Sequence, residues 1–248
     1  MMRHAALFAL LALFCLPGTA IAQSKTRLWT LQLGTPVADL PKDEWVDPSC
    51  GTNGGPPSTR LSGFEDFARC RVEPATGLRE IWFIYDDEWE YVARAYRDEM
   101  EIMSFSANVF YAQPIITSLL VDEAGLVQGY RVITDPRAVN PLRREAFGLY
   151  LNFRTLFSQA PWQCQDLPPA DRETPVDGRF IKSSCVMVSD ELYVTIEGRL
   201  LRRPGQDTRD VAGMTPMEEG NFDSSARLDV YARQSVVDAP CCAAGAQP

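Results

Sequence analysis

The spacing of the cysteines constrains this chain more than any other feature. Cys50 and Cys70 stand 20 residues apart, Cys164 and Cys185 stand 21 apart, and the residues around both pairs follow one order. Trp45 precedes the first pair and Trp162 the second, while Pro56-Pro57 and Pro168-Pro169 fall inside the two loops. Gly63-Phe64 and Gly178-Arg179-Phe180 open segments that read as strands returning to the second cysteine, and Val72 or Val186 follows each closure. The cysteines of the mature chain admit many pairings, but this spacing favours Cys50–Cys70 and Cys164–Cys185. Each bond would close a similar loop and stabilise the fold by roughly 3 kcal/mol through the entropy of the unfolded chain. The expected fold class is α+β with two related halves, each a helix packed on a mostly antiparallel sheet with one disulfide-closed loop. The halves fall at residues 23–110 and 111–236, followed by a flexible tail at 237–248. Coincidence, helped by the general Pro and Gly content of loops, is the competing account of the repeat.

Disulfides imply an oxidising compartment, and the N-terminus offers a route to one. Met1-Met2-Arg3-His4 is a short positive start, Ala5 to Leu16 is an apolar run of 12 residues, and Pro17-Gly18 breaks it. Ala20-Ile21-Ala22 then supplies the small-x-small pattern of a signal-peptidase site, so residues 1–22 read as a signal peptide. Twelve apolar residues are too few to span a bilayer, which takes about 20. Cys15 would suggest a lipoprotein, but Phe14 occupies the position that needs a small residue. A periplasmic or secreted protein with no transmembrane segment is expected.

Removing residues 1–22 deletes Arg3 and no acid, which takes the net charge from −9 to −10. Nucleic acid is disfavoured as a partner, because its binding needs clustered Lys and Arg to displace counterions. Anionic lipid surfaces are disfavoured for the same reason. The single histidine is His4, inside the signal, so the mature chain lacks the usual general base and the commonest metal ligand. Ser-His-Asp and Cys-His nucleophile systems and histidine-based zinc sites are therefore excluded. No Ser-x-x-Lys, Gly-x-Ser-x-Gly, P-loop, Gly-x-Gly-x-x-Gly, Cys-x-x-Cys or EF-hand pattern is present. No catalytic residue, cofactor or metal ligand is assigned.

The local patterns fit a sheet-rich chain. Leu28 to Leu33 reads as a strand, and Thr35 as the cap of a short helix through Leu40 with Pro36 at its first position. Glu80 to Asp86 is apolar on both faces, as in a central strand, which places Trp82 in the core. After Asp86-Asp87, alternation of Trp89, Tyr91, Ala93 and Ala95 with Glu88, Glu90, Val92 and Arg94 predicts a second strand. Leu119–Val121 and Leu126–Ile133 form a hairpin through Asp122-Glu123-Ala124-Gly125. Asn140-Pro141 opens a helix whose buried stripe is Leu142, Ala146, Leu149, Phe153 and Leu156. Glu191–Leu201 and Ala226–Ala232 are further strands, residues 204–221 a long loop, and the chain from Val236 onward is disordered.

Leu33-Gly34-Thr35-Pro36-Val37-Ala38-Asp39-Leu40 resembles the Gly-Met-Thr-x-x-x-Glu-Val helix start of small exported α+β domains. These include the outer-membrane assembly lipoprotein BamE and the tandem β-lactamase inhibitor protein, the latter with two repeated helix-then-sheet units, each with a disulfide. Thr35 replaces the Met of that pattern and Asp39 the Glu, and there is no lipobox. The resemblance implies a non-catalytic protein-binding scaffold that presents one face of its sheets, and it transfers no functional residue.

Asp86, Asp87, Glu88 and Glu90 form the densest acidic cluster beside aromatic residues. They read as a solvated turn that keeps a sheet edge soluble, with a hydrolytic carboxylate pair or a hard-cation site as the sharper alternative. Asp86, Asp87, Glu88 and Trp89 are the candidate binding surface. Adjacent Cys241 and Cys242 are a candidate redox or intermolecular pair, able to bridge chains or take a soft ion such as Cu(I); the plainer account is a tail whose thiols oxidise incidentally. Trp45 and Trp162 read as packing over the disulfides, and Gly54-Gly55-Pro56-Pro57 as rigid turn chemistry. The function expected is a non-enzymatic exported binding or envelope-scaffold protein with a protein or envelope-polymer partner. The alternatives are a carboxylate-based hydrolase acting on an envelope polymer and a thiol- or copper-handling protein.

Overall fold

The computed structural model describes residues 26–105, 107–138, 145–157, 160–202, 222–236, 239 and 242. The expected signal peptide, the start of the helix predicted from Asn140, the loop predicted at 204–221, Cys241 and most of the tail lie outside them.

Nine strands form one antiparallel sheet: β1 (Trp45–Cys50), β2 (Arg79–Tyr85), β3 (Val109–Phe110), β4 (Gln113–Val121), β5 (Val127–Thr134), β6 (Gln163–Asp166), β7 (Ile181–Val188), β8 (Leu192–Arg202) and β9 (Phe222–Ala232). The order across it is β1-β2-β4-β5-β9-β8-β7-β6, with β3 paired to β4. Each run of neighbours follows chain order, and short hairpins set the register at β3–β4, β4–β5 and β7–β8. Asp122 closes the β4–β5 hairpin by accepting hydrogen bonds from Ala124 N–H and Leu126 N–H, both at 2.9 Å, with Gly125 at positive φ. Tyr111 and Ala112 both take positive φ in the two-residue β3–β4 turn, so the boundary expected between residues 110 and 111 falls inside a hairpin. The two runs join where β5 pairs with β9. A Cβ on Gly129 would lie 2.3 Å from the Val230 carbonyl oxygen, so this central seam requires glycine.

One sheet face carries the main core. Ile81, Phe83 and Tyr85 of β2, Leu119 and Val121 of β4, Tyr130 and Val132 of β5, Leu228 and Val230 of β9 and Val194 and Ile196 of β8 meet there. Trp45 stacks on Phe83 with ring centroids 4.5 Å apart and meets Tyr85 edge-on, contacts worth about 0.5–1.5 kcal/mol each beyond area burial. Helix α3 (Phe147–Leu156) covers the β8–β9 end, burying Leu149, Tyr150 and Phe153. The predicted stripe holds at Ala146, Leu149 and Phe153, while Leu156 is half-buried and Tyr150 joins it. The helix sits close because residue 198 is glycine: a Cβ there would lie 2.6 Å from the Tyr150 ring.

Several expectations are overturned. Leu28–Leu33 is not a strand but opens with a 3-10 turn at Leu28–Thr30. The Leu28 N–H donates to the Tyr85 hydroxyl at 2.9 Å, so a side chain takes the bond a neighbouring strand would have supplied. The helix expected from Thr35 shrinks to a 3-10 turn at Val37–Asp39 with Pro36 as cap residue. Thr35 Oγ1 instead donates back to the Gln32 carbonyl at 2.7 Å. The segment from Phe64 to Arg69 is a 3-10 helix, whereas its counterpart before Cys185 is strand β7, so the two cysteine loops are built differently. Residues 88–95 are not a strand: α1 (Glu88–Tyr96) is a helix, followed by α2 (Glu99–Phe105). The same apolar residues satisfy a 3.6-residue period at Trp89, Val92, Ala93 and Tyr96, and acids in the first turn suit the helix dipole. Val236 is fully buried at the end of a short helix, α4 (Arg233–Val236), in a second small core with Leu78, Leu120 and Tyr231. Ala239 and Cys242 pack against it, so Val236, Ala239 and Cys242 are packed where disorder was expected.

Candidate functional site

Both favoured disulfides form. Cys50–Cys70 has Cα atoms 5.1 Å apart and ties the end of β1 to the residue after the 3-10 helix. Cys164–Cys185 has a Cα separation of 4.0 Å because the two residues are direct partners across β6 and β7. Trp45 shares the main buried cluster with Cys50 and Cys70 and stacks on Phe83 there. Trp162 donates from Nε1 to the Phe157 carbonyl at 3.1 Å and the Arg154 carbonyl at 3.3 Å, satisfying the C-terminal end of α3. Cys242 is disulfide-bonded, and Cys241 lies outside the described residues.

The predicted binding surface lies where β2 gives way to α1. Asp86 Oδ1 accepts the Glu88 N–H at 3.1 Å, which turns the chain into the helix. Glu90 faces inward and takes two bonds from Arg94, from Nε at 2.8 Å and Nη2 at 2.6 Å. The remaining face projects large apolar groups into solvent: Trp89 is 61 % exposed, Tyr91 75 %, Tyr96 83 % and Met100 71 %. Asp86, Asp87, Glu88, Asp98, Glu99 and Glu101 surround them, against Arg94 and Arg97. Asp86 and Asp87 thus lead into a helix with an exposed aromatic surface. Trp82 is half-buried on the sheet face opposite the main core, not in that core.

That opposite face holds a polar centre missed by the sequence reading. Arg131 of β5 is 2 % exposed as a side chain and faces three carboxylates. Its Nε reaches Asp229 Oδ1 at 2.5 Å, and Nη1 reaches Glu73 Oε1 at 2.8 Å and Glu80 Oε2 at 2.9 Å. Asp229 lies directly opposite on β9, and Glu80 reaches in from β2. Arg227 shares Asp229, donating from Nε to Oδ2 at 2.5 Å, and reaches Asn53 Oδ1 at 2.7 Å. Burial alone would weaken the Arg131 charge, but Asp229, Glu73 and Glu80 together hold its pKa well above the ordinary arginine value. The centre is a fixed ion network.

The network floors a cavity of about 680 Å³, within the roughly 300–1,000 Å³ of small-molecule pockets. Its walls are the start of the first disulfide loop, Gly51, Thr52 and Asn53, on one side, and Arg69 with the segment beyond the closing Cys70, Arg71 and Val72 to Thr76, on the other. Gly51 permits the close approach, since a Cβ there would fall 2.3 Å from the Glu80 carboxyl carbon. Among the described residues no three His, Cys, Asp or Glu side chains are grouped to hold a metal ion. A usable signal did exist in the sequence: Arg131 is the single charge in its strand, and Glu80 and Asp229 each stand directly beside an apolar run of theirs, where charges are rarely buried unless paired.

The fold and site define an antiparallel α+β protein with two disulfides whose cysteines are both among the described residues, and among those residues no helix is long and apolar enough to cross a membrane. No protein-family model, curated protein or solved structure matches the chain.

Proposed function

We propose that this chain is an exported, non-catalytic binding protein that docks a protein partner on the α1–α2 surface. The observation that carries the reading is the set of exposed aromatic side chains there, Trp89, Tyr91 and Tyr96, in an acidic surround. Aromatic residues are the usual anchors of an interface, and the surrounding carboxylates favour a partner segment that is basic as well as apolar. The resemblance at residues 33–40 to exported protein-binding α+β domains agrees with it. Two disulfides in a sheet-rich chain agree with export. The arrangement of the sheet as two four-stranded runs, β1-β2-β4-β5 and β9-β8-β7-β6, supports an origin by duplication.

The test compares wild type with Tyr91→Ala/Tyr96→Ala in affinity capture from an exported fraction, followed by titration of the recovered protein at two salt concentrations. Both side chains are exposed, so the variant keeps its fold. Loss of about tenfold or more in affinity, with binding weakened by salt, is expected. Capture and affinity equal to wild type, or recovery of an envelope polymer in place of a protein, would remove the reading.

A further inference from the structure

The cavity above the Arg131 network is independent of the α1–α2 surface and carries its own chemistry. Most of its charged groups are already satisfied. Arg131 is matched by Asp229, Glu73 and Glu80, Arg227 by Asp229 and Asn53, and Arg69 stands 3.9 Å from Asp66. Two lining groups are not. Arg71 makes no ion pair or hydrogen bond within the described residues, and its backbone follows Cys70, pinned by the disulfide. Tyr231 is 5 % exposed, yet its hydroxyl makes no hydrogen bond within the described residues. Among the described residues no buried side-chain nitrogen or oxygen lacks a partner, so the Tyr231 oxygen is the part of this side chain that stays open to the cavity, where it can donate to a bound molecule. Four guanidinium groups, of Arg69, Arg71, Arg131 and Arg227, line the cavity against the carboxylates of Glu73 and Glu80, in a chain whose net charge is −9. Val72, Pro74 and Ala75 give the same cavity an apolar wall.

We infer that this cavity is a receptor for a small carboxylate anion with an apolar body, its carboxylate held by the Arg71 guanidinium and the Tyr231 hydroxyl. Both groups donate, and a carboxylate only accepts, so the ligand supplies what the protein leaves unpaired. Glu73, Glu80 and Asp229 carry three negative charges against the two positive charges of Arg131 and Arg227, so the network offsets most of its own repulsion and Arg71 supplies the further cation that faces the ligand. The apolar wall separates this class from inorganic anions.

Benzoate titrated into the mature chain by calorimetry is the direct probe, with benzamide and inorganic phosphate as comparators. Saturable benzoate binding is expected, with weaker binding of both comparators. Tyr231→Phe deletes one oxygen and Arg71→Gln removes an exposed charge, so both variants fold. Each should weaken benzoate binding by about tenfold or more, equivalent to about 1.4 kcal/mol, while the Trp89→Ala variant binds as wild type. Thermal unfolding of each variant, run beside the titrations, separates lost binding from lost structure. Benzamide or phosphate binding as tightly as benzoate would overturn the inference. So would unchanged affinity in both variants, or no benzoate binding at millimolar concentration.

Discussion

Replacing Arg131 by methionine is the sharpest perturbation the structure offers. The side chain is almost completely buried and is the shared partner of Asp229, Glu73 and Glu80. Methionine of similar length fills much of the space but leaves three carboxylates facing one another, two of them, Glu80 and Asp229, themselves buried. Removing one partner from a buried ion pair costs about 3–5 kcal/mol, because the remaining charge has lost its compensation. Against a typical domain stability of roughly 5–15 kcal/mol this is a large fraction. With a urea slope near 2–3 kcal/mol per molar, the unfolding midpoint should fall by about 1–2 M. The pH response should differ from that of wild type as well. Like charges held together favour proton uptake by the folded state. A folded state that binds more protons than the unfolded chain gains stability as pH falls, so the variant should recover part of its loss between about pH 7 and pH 5 and wild type should not. Adding Glu80→Gln and Asp229→Asn to Arg131→Met should restore most of the stability at pH 7, because neutral amides need no cation. Urea unfolding at the two pH values measures all of this. A loss under about 1 kcal/mol, or a variant whose pH response parallels wild type, would refute the view that this network is tightly coupled.

Two further outcomes follow from burial and from the seams of the sheet. Burial pushes the hydroxyls of Tyr85, Tyr130 and Tyr231 well above the ordinary tyrosine value, so the folded state keeps protons that the unfolded chain loses near pH 10. Stability is then fully present below about pH 10 and falls above it by up to roughly 1.4 kcal/mol per pH unit for each group; chemical unfolding at pH 9, 10 and 11 should show this, with Tyr130→Phe reducing the slope by about a third. Gly198→Val would drive a side chain into Tyr150 and Phe147 and lift α3 from β8, lowering stability by about 1–3 kcal/mol or more as overpacking does. A thermal midpoint within a degree of wild type would mean that the helix does not sit where the structure places it.

Much of the architecture was legible because it is specified locally. The strand read at residues 80–86, the 119–133 hairpin, the strands read at 191–201 and 226–232, the last of which begins earlier at Phe222 in the fold, and the helical stripe at Ala146, Leu149 and Phe153 depend on side-chain period and turn chemistry within a dozen residues. The disulfide pairs were also readable, since similar short loops are the economical closures. The errors cluster where two periods fit one segment. Trp89 to Tyr96 alternates with charges and also repeats at helical spacing, and the acidic start with its Asp86 turn decides for helix. Leu28 to Leu33 has a strand's composition but meets Tyr85 where a strand neighbour would be.

By itself the chain's order of residues determined an α+β framework, two loop-closing disulfides and the absence of histidine chemistry after residue 22, because each is a property of composition or of short separations. Only the tertiary structure decided that Arg131 meets Asp229 across 98 positions, that Glu73 and Glu80 complete the network, and that Arg71 and Tyr231 share one cavity. Sheet pairing brings such groups together over long stretches of chain. Nothing in the immediate surroundings of any one of them records which distant charge it will face.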